Sequence, residues 1–264
     1  MQNFTAILNM KMALCILVVC APRAALAEER GGGKWSVGAG MMMNSSPFAA
    51  EGTSVTPIPY VAYESEGLFL QGIEGGYHIT ASAEEKKAGF FLDVVGSGRF
   101  RAGETRQKFT VDVGLRAGMR SDFGVFDVTF LQDVTGTSNG QEVIGAYSYT
   151  FHDQRYKWIF TPRVGMSWMS RKMANYVWGV TQGQHNKMVV DNVENSDKPV
   201  LPIYEPGAAV MNYFAGATLV HRFDDHWSAF ALSQVTRLDR KITDNPGIDK
   251  DYDLTLGMGV SYSF

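Results

Sequence analysis

From Lys34 onward the chain alternates apolar-rich runs of about 8–14 residues with polar or glycine-rich breaks, the spacing of strands and hairpins. No run carries a sustained helical stripe. The pattern predicts strands at 34–43, 54–64, 67–80, 87–96, 108–121, 124–134, 141–152, 156–170, 210–223, 227–238 and 251–264. Successive side chains in a strand point to opposite faces. At the C-terminus this sets Tyr252, Leu254, Leu256, Met258, Val260, Tyr262 and Phe264 against Asp253, Thr255, Gly257, Gly259, Ser261 and Ser263. The run from Phe109 sets Val111, Val113, Leu115, Ala117 and Met119 against Asp112, Gly114, Arg116, Gly118 and Arg120. A third run opposes Trp158, Phe160, Pro162, Val164, Met166 and Trp168 to Thr161, Arg163, Gly165 and Ser167.

A soluble barrel or sandwich shows the same period with its apolar face turned inward. Several features favour a membrane-spanning wall instead. The strands reach the about 9–11 residues needed to cross a bilayer at a tilt, aromatics recur near strand ends, and the breaks alternate between short and long. Arginines facing lipid at mid-depth would each cost about 2–4 kcal/mol. The face carrying Asp112, Arg116 and Arg120 must therefore line a lumen or meet bulk water. The chain stops at Phe264 with its alternation unbroken, which resembles the C-terminal assembly signal of bacterial outer-membrane barrels, carried here by Tyr252, Leu254, Leu256, Met258, Val260, Tyr262 and Phe264. That resemblance implies outer-membrane lipid and the barrel assembly machinery as partners.

The expected fold class is all-β: a transmembrane antiparallel up-and-down β-barrel closed by the C-terminal strand ending in Phe264. Bacterial barrels of this kind have an even number of strands, whereas eleven runs are visible. Twelve strands are expected, with ten the alternative. The missing strand lies either in 67–80, where Gly72, Gly75 and Gly76 would split one run into a hairpin, or at Lys187 to Val193. Counting back from Phe264 makes Ser121–Gly124 and Asp224–His226 periplasmic turns and places the long break from Arg171 to Ala209 outside the cell.

The first 27 residues read as a cleaved signal peptide, followed by one barrel domain over 28–264. Met1–Met12 holds a single positive charge, Met12–Ala21 is apolar, and Ala25-Leu26-Ala27 is an A-x-A cleavage site before Glu28. Ten apolar residues fall short of the about 20 that a spanning helix needs. Lipid attachment at Cys20 is disfavoured by the bulky Val19. Cys15 and Cys20, the only cysteines, both leave with the leader. The mature protein then has neither a disulfide framework nor a thiolate for catalysis or metal binding.

Composition adds two constraints. The formal net charge is −3 and falls further when Lys11 and Arg23 leave with the leader, so no basic surface dominates and a nucleic-acid partner is not expected. Charged residues amount to 19%, against 12% aromatics and 28 glycines, which suits a β protein with two differently solvated faces. None of the five histidines forms an H-x-x-x-H pair, and no metal or cofactor is expected. Asp224-Asp225-His226 falls in a short turn, and Ser148 and His152 are neighbours along one strand rather than a cross-strand nucleophile and base. No catalytic residue is expected. Met41-Met42-Met43 reads as packing, and Gly31–Gly33 and Gly96-Ser97-Gly98 lack the G-K-[ST] of a phosphate loop. The chemically distinctive constellation is the lumen-facing set Asp112, Arg116, Arg120, Asp127, Thr129, Asp133 and Arg163. It reads either as mutually compensating charges that fill a narrow lumen or as the lining of a solute pore. Charge compensation with slight or no conductance is the favoured reading.

Several segments in order resemble the MipA/OmpV family of outer-membrane proteins. They are Pro57-Ile58-Pro59-Tyr60-Val61-Ala62-Tyr63-Glu64-Ser65-Glu66-Gly67-Leu68-Phe69, Gly140-Gln141-Glu142-Val143 with Tyr147-Ser148-Tyr149, Asn175-Tyr176-Val177-Trp178-Gly179-Val180, Tyr204-Glu205-Pro206-Gly207-Ala208 and Asp244-Asn245-Pro246. The family usually reads Asp-Ser-Pro at the last site, and the 181–203 stretch is individual to this chain. The resemblance implies a non-enzymatic barrel in the outer membrane of a Gram-negative bacterium. It implies a scaffold joining a murein hydrolase (a lytic transglycosylase) to a penicillin-binding protein. A small-solute channel, and an adhesin built on the 171–209 loop, are the alternatives.

Overall fold

The computed structural model describes residues 33–80, 88–99, 109–194 and 200–264. The leader expected over 1–27, and the break at 81–86 between the strands expected at 67–80 and 87–96, lie outside them. The strands are β1 (Lys34–Ser45), β2 (Thr53–Glu64), β3 (Leu68–Gln71), β4 (Glu74–His78), β5 (Gly89–Arg99), β6 (Thr110–Ser121), β7 (Gly124–Asp133), β8 (Gln141–Ser148), β9 (Phe151–His152), β10 (Trp158–Met169), β11 (Val210–Arg222), β12 (Trp227–Arg237) and β13 (Tyr252–Ser263). Each strand pairs antiparallel with the next along the chain, except that β8 pairs with β10, and β13 returns to β1 in register from Ser36↔Ser263 to Ser45↔Leu254. The two-residue β9 pairs with β10 below β8 and adds no step around the wall. The result is the expected closed barrel of twelve strands with one short extra strand.

The twelfth strand comes from the 67–80 run. Gly72 takes a left-handed φ of 59° and donates its N–H to Val61 O at 2.8 Å, folding the run into the β3–β4 hairpin. Only glycine accepts such a φ without cost. Lys187–Val193 is no strand. It lies inside helix α2 (Gln182–Glu194), which follows α1 (Arg171–Trp178); a short α3 (Arg240–Thr243) sits before β13. Ser170 caps α1 by accepting the Met173 N–H, the usual job of a serine at that position.

The apolar face points outward. Met258 and Val260 are 59% and 47% exposed, whereas Thr255, Ser261 and Ser263 on the other face of the same strand are buried. Near the end holding both Trp35 and Phe264, outward rings form a collar; Trp227 and Tyr262 meet edge to face at 5.2 Å. The inner face is shaped by glycines directly opposite aromatics. Gly76 pairs with Phe69, Gly118 with Phe91, Gly165 with Phe214 and Gly259 with Phe230. A Cβ on Gly165 or Gly259 would stand 2.5 or 2.6 Å from the facing Phe ring. Each ring lies flat across a bare stretch of neighbouring backbone, so the lumen fills without distorting the strands.

The two ends differ. Short turns at 65–67, 122–123, 153–157 and 223–226 close the end near Phe264, while the opposite end carries the longer connections at 46–52, 134–140, 170–209 and 238–251. Those long connections build a second core: Phe48, Met173, Ala174, Trp178, Val180, Met188, Leu201, Leu238 and Ile242 pack on Met169 and Val210 at the barrel rim. Tyr204 donates its hydroxyl to Lys241 O and Lys241 Nζ donates to Ala209 O, both at 2.8 Å. A bridge between Phe48 and Ile248 ties in the 46–52 loop. Three loops thus form one apolar lid across the long-loop end.

Candidate functional site

The strand period puts Arg99, Asp112, Asp133 and Glu142 near the lid end of four successive strands, all pointing inward. Arg99 is buried and holds two acids at once. Its Nε donates to Asp112 Oδ2 at 2.7 Å, and its Nη2 donates to Glu142 Oε2 in a very short contact. Asp112 is 0% exposed, so this charge is tolerated only because a cation reaches it. Asp133, opposite Asp112 in register, is directed elsewhere. Its carboxylate accepts the backbone N–H groups of Thr135, Ser138 and Asn139 at 2.8, 2.6 and 2.8 Å and the hydroxyls of Thr135 and Ser138 at 2.6 and 2.9 Å. It organises the 134–140 loop rather than facing the lumen as a free charge.

That loop carries the lid. Ser170 N donates to Gln141 O and Gln141 N to Ser170 Oγ, both at 2.9 Å. Met173 sits so close to Gly140 that a Cβ there would lie 2.5 Å from its backbone nitrogen. Tyr176 of α1 lies half-buried over the cluster, and burial pushes its phenol up from the ordinary value.

Further into the lumen, Arg116 donates from Nη2 to both Glu74 carboxylate oxygens at 2.9 Å and from Nε to Thr129 Oγ1 at 3.0 Å. Arg163 Nη2 lies 3.3 Å from Asp127 Oδ1, and its guanidinium carbon is 5.9 Å from the centre of the Phe214 ring. Towards the short-turn end, His78 Nδ1 is 2.7 Å from Asp93 Oδ1 and its Nε2 is 3.2 Å from Glu64 Oε1. Phe69, Val95 and Leu131 pack between these layers. Arg120 is half-buried near the short-turn end of β6.

Of the residues singled out from sequence, the fold joins Asp112 to Arg99, Arg116 to Glu74 and Arg163 to Asp127, always across strands. Within the expected set it joins Arg163 to Asp127 and Arg116 to Thr129. Arg99, Glu142, Glu74, His78, Asp93 and Glu64 were not among them, although the inward parity of their strands marks all six. Arg99 was hidden because the predicted strand stopped at 96.

The remaining candidates are structural in their surroundings. Asp224 Oδ1 accepts the His226 and Trp227 N–H groups at 2.8 and 2.7 Å within its turn. Ser148 and His152 stand on either side of the break between β8 and β9, and His152 stacks on Tyr156 at 3.9 Å. Among the described residues, no group of three or more His, Cys, Asp or Glu side chains is placed to hold a metal ion.

A closed barrel with an apolar exterior, an ion-paired interior and short turns at the end holding its last strand is the architecture of outer-membrane proteins. The family model described as MltA-interacting protein MipA matches residues 37–264. The chain belongs to the MltA-interacting protein MipA family. Within it, the MltA-interacting protein of Escherichia coli (strain K12) is 25% identical over 261 residues, covering 96% of this chain and 98% of that one. Outer membrane protein OmpV of Vibrio cholerae serotype O1 is 26% identical over 162 residues, covering 61% and 57%. Among solved structures, an outer-membrane channel from Pseudomonas putida F1 aligns with a TM-score of 0.45 at 10% identity, covering 92% of this chain and 99% of that one. This MipA-family protein is an outer-membrane barrel.

Proposed function

We propose that the protein is a non-enzymatic scaffold that holds a murein hydrolase of the lytic transglycosylase class, together with a penicillin-binding protein, at the inner surface of the outer membrane. The observation that carries this reading is similarity along 96% of the chain to a protein named for its interaction with MltA. The interior supports it: Arg99, Arg116, Arg163 and His78 are each tied to a facing acid, and the lid core covers the outer mouth. A barrel so filled offers its surface rather than its bore. The partners dock on the periplasmic turns 65–67, 122–123, 153–157 and 223–226.

The full-length barrel, immobilised in detergent, should retain a lytic transglycosylase and a penicillin-binding protein from envelope extracts and lose them when those turns are replaced. Retention that survives replacement of every turn overturns the scaffold reading. Planar-bilayer recording should show no conductance above background; steady channels would replace it with the solute-pore reading.

A further inference from the structure

The four short turns differ in chemistry, and one of them is built against its own stability. The turn at 153–157 joins β9 to β10 and is closed by three hydrogen bonds. Asp153 N donates to Trp158 O at 3.2 Å, Trp158 N donates to Asp153 Oδ1 at 3.1 Å, and Tyr156 N donates to Asp153 O at 3.1 Å. Within this closure Tyr156 takes a left-handed φ of 52°. Among the described residues seven have a positive φ: five are glycines, one is Asn139 and the last is Tyr156. Glycine has no Cβ to clash in that region, and asparagine offsets the clash with a local hydrogen bond. A bulky aromatic does neither. Hairpin loops ordinarily place glycine at a left-handed position, as this chain does at Gly72.

What the tyrosine gives in return is a fixed, accessible ring. It is 46% exposed and stacks on His152 at 3.9 Å, with 18° between the planes. His152 lies opposite Ile159, a buried residue of the inner face, whereas Phe151 lies opposite Phe160 on the lipid face. The stacked pair therefore stands on the inner side of the hairpin, away from lipid. The Trp158 ring points to the other side and meets His221 at 4.0 Å in the aromatic collar. Arg155 and Lys157, both exposed, flank Tyr156, while the Asp153 carboxylate accepts the Trp158 N–H. The turn thus presents a ring between two cations. The other three short turns carry no lysine or arginine: 65–67 holds Glu66, 122–123 holds Asp122, and 223–226 holds Asp224 and Asp225.

Strain retained at an accessible side chain points to a use outside the fold. A ring already held in place loses little freedom on binding, and tyrosine and arginine are among the residue types that dominate contact energies. We propose that Tyr156 anchors the lytic transglycosylase, its ring entering a pocket on that enzyme whose rim offers carboxylates to Arg155 and Lys157. This inference rests on the scaffold reading and narrows its docking surface from four turns to one principal contact.

The test measures binding of the lytic transglycosylase, purified from the same bacterium, to the full barrel in detergent. In Tyr156→Gly, relief of the left-handed strain offsets the lost ring stack, so the urea midpoint and heat-modifiable migration should match the parent's. Binding should nonetheless weaken by about thirtyfold, the size of a hot-spot loss. Tyr156→Phe keeps the ring and should stay within about threefold of the parent. Arg155→Glu combined with Lys157→Glu should slow association and reduce its salt dependence, whereas Lys172→Glu, at the opposite end of the barrel, should change neither. Undiminished binding by Tyr156→Gly overturns the anchor and leaves the scaffold reading standing. A parent barrel that binds no transglycosylase overturns both. Purified murein sacculi are the second ligand: if they retain the parent barrel without the enzyme and fail to retain Tyr156→Gly, the turn holds glycan and the anchor proposal is wrong.

Discussion

Replacing Arg99 with methionine removes the cation that Asp112 and Glu142 share beneath the lid. All three side chains are nearly or wholly inaccessible to solvent, so the charges left behind have no water to turn to. Breaking a buried ion pair by deleting one partner typically costs about 3–5 kcal/mol, because the orphaned charge stays desolvated. Here two carboxylates are orphaned, and the upper end of that range is expected. The same reasoning says that the pair itself contributes little net stability. The triple variant Arg99→Met, Asp112→Leu, Glu142→Met should therefore return to within about 1 kcal/mol of the parent or exceed it. Urea titration of the barrel folded into lipid vesicles measures both, with heat-modifiable migration confirming closure. The non-additivity of the single and triple variants isolates the coupling. If Arg99→Met alone lost less than about 1 kcal/mol, water would have to reach the cluster, and the description of a sealed, ion-paired upper lumen would be wrong.

Three further outcomes are expected, two from the geometry and one from the sequence of the leader. Gly118→Ala places a methyl group 2.5 Å from Phe126 O and against the Phe91 ring and should cost about 1–3 kcal/mol by overpacking. Gly145→Ala, with nothing within 4 Å, should stay within about 0.5 kcal/mol; equal urea midpoints for the two would contradict the Gly–Phe packing. The Trp227 and His226 N–H groups hold the Asp224 carboxyl below its ordinary range. Its support of the β11–β12 turn is then present at neutral pH and lost only as the pH falls through that lowered value. The protection of the His226 and Trp227 amides, taken relative to the intrinsic exchange rate at each pH, should be lost in acid, and in Asp224→Ala it should be absent at every pH. N-terminal sequencing of the exported protein should begin at Glu28, and any other start would relocate the leader boundary.

Most of the wall was legible along the chain. A strand buried against lipid on one side and a packed lumen on the other has a strict two-residue period, and local order is enough to read it. The inward position of Asp112, Arg116 and Arg163 follows from that period alone. Their partners do not, because Glu74, Arg99, Glu142 and Asp127 come from other strands and their pairing depends on register. Asp133 shows the limit most clearly. Parity alone sends it inward, but its place at a strand end lets five loop donors take up its carboxylate.

The sequence by itself determined the strand period, the apolar exterior, the even-numbered wall and the family, since each rests on residues close together or on order along the chain. Tertiary structure alone decided which acid each arginine meets and which glycine each phenylalanine covers. It also turned the 171–209 stretch from an outer loop into part of a lid. Phe48, Trp178 and Ile242 carry no shared period that would announce their meeting; only closing the barrel brings three distant loops over one mouth, where their apolar side chains find each other instead of water.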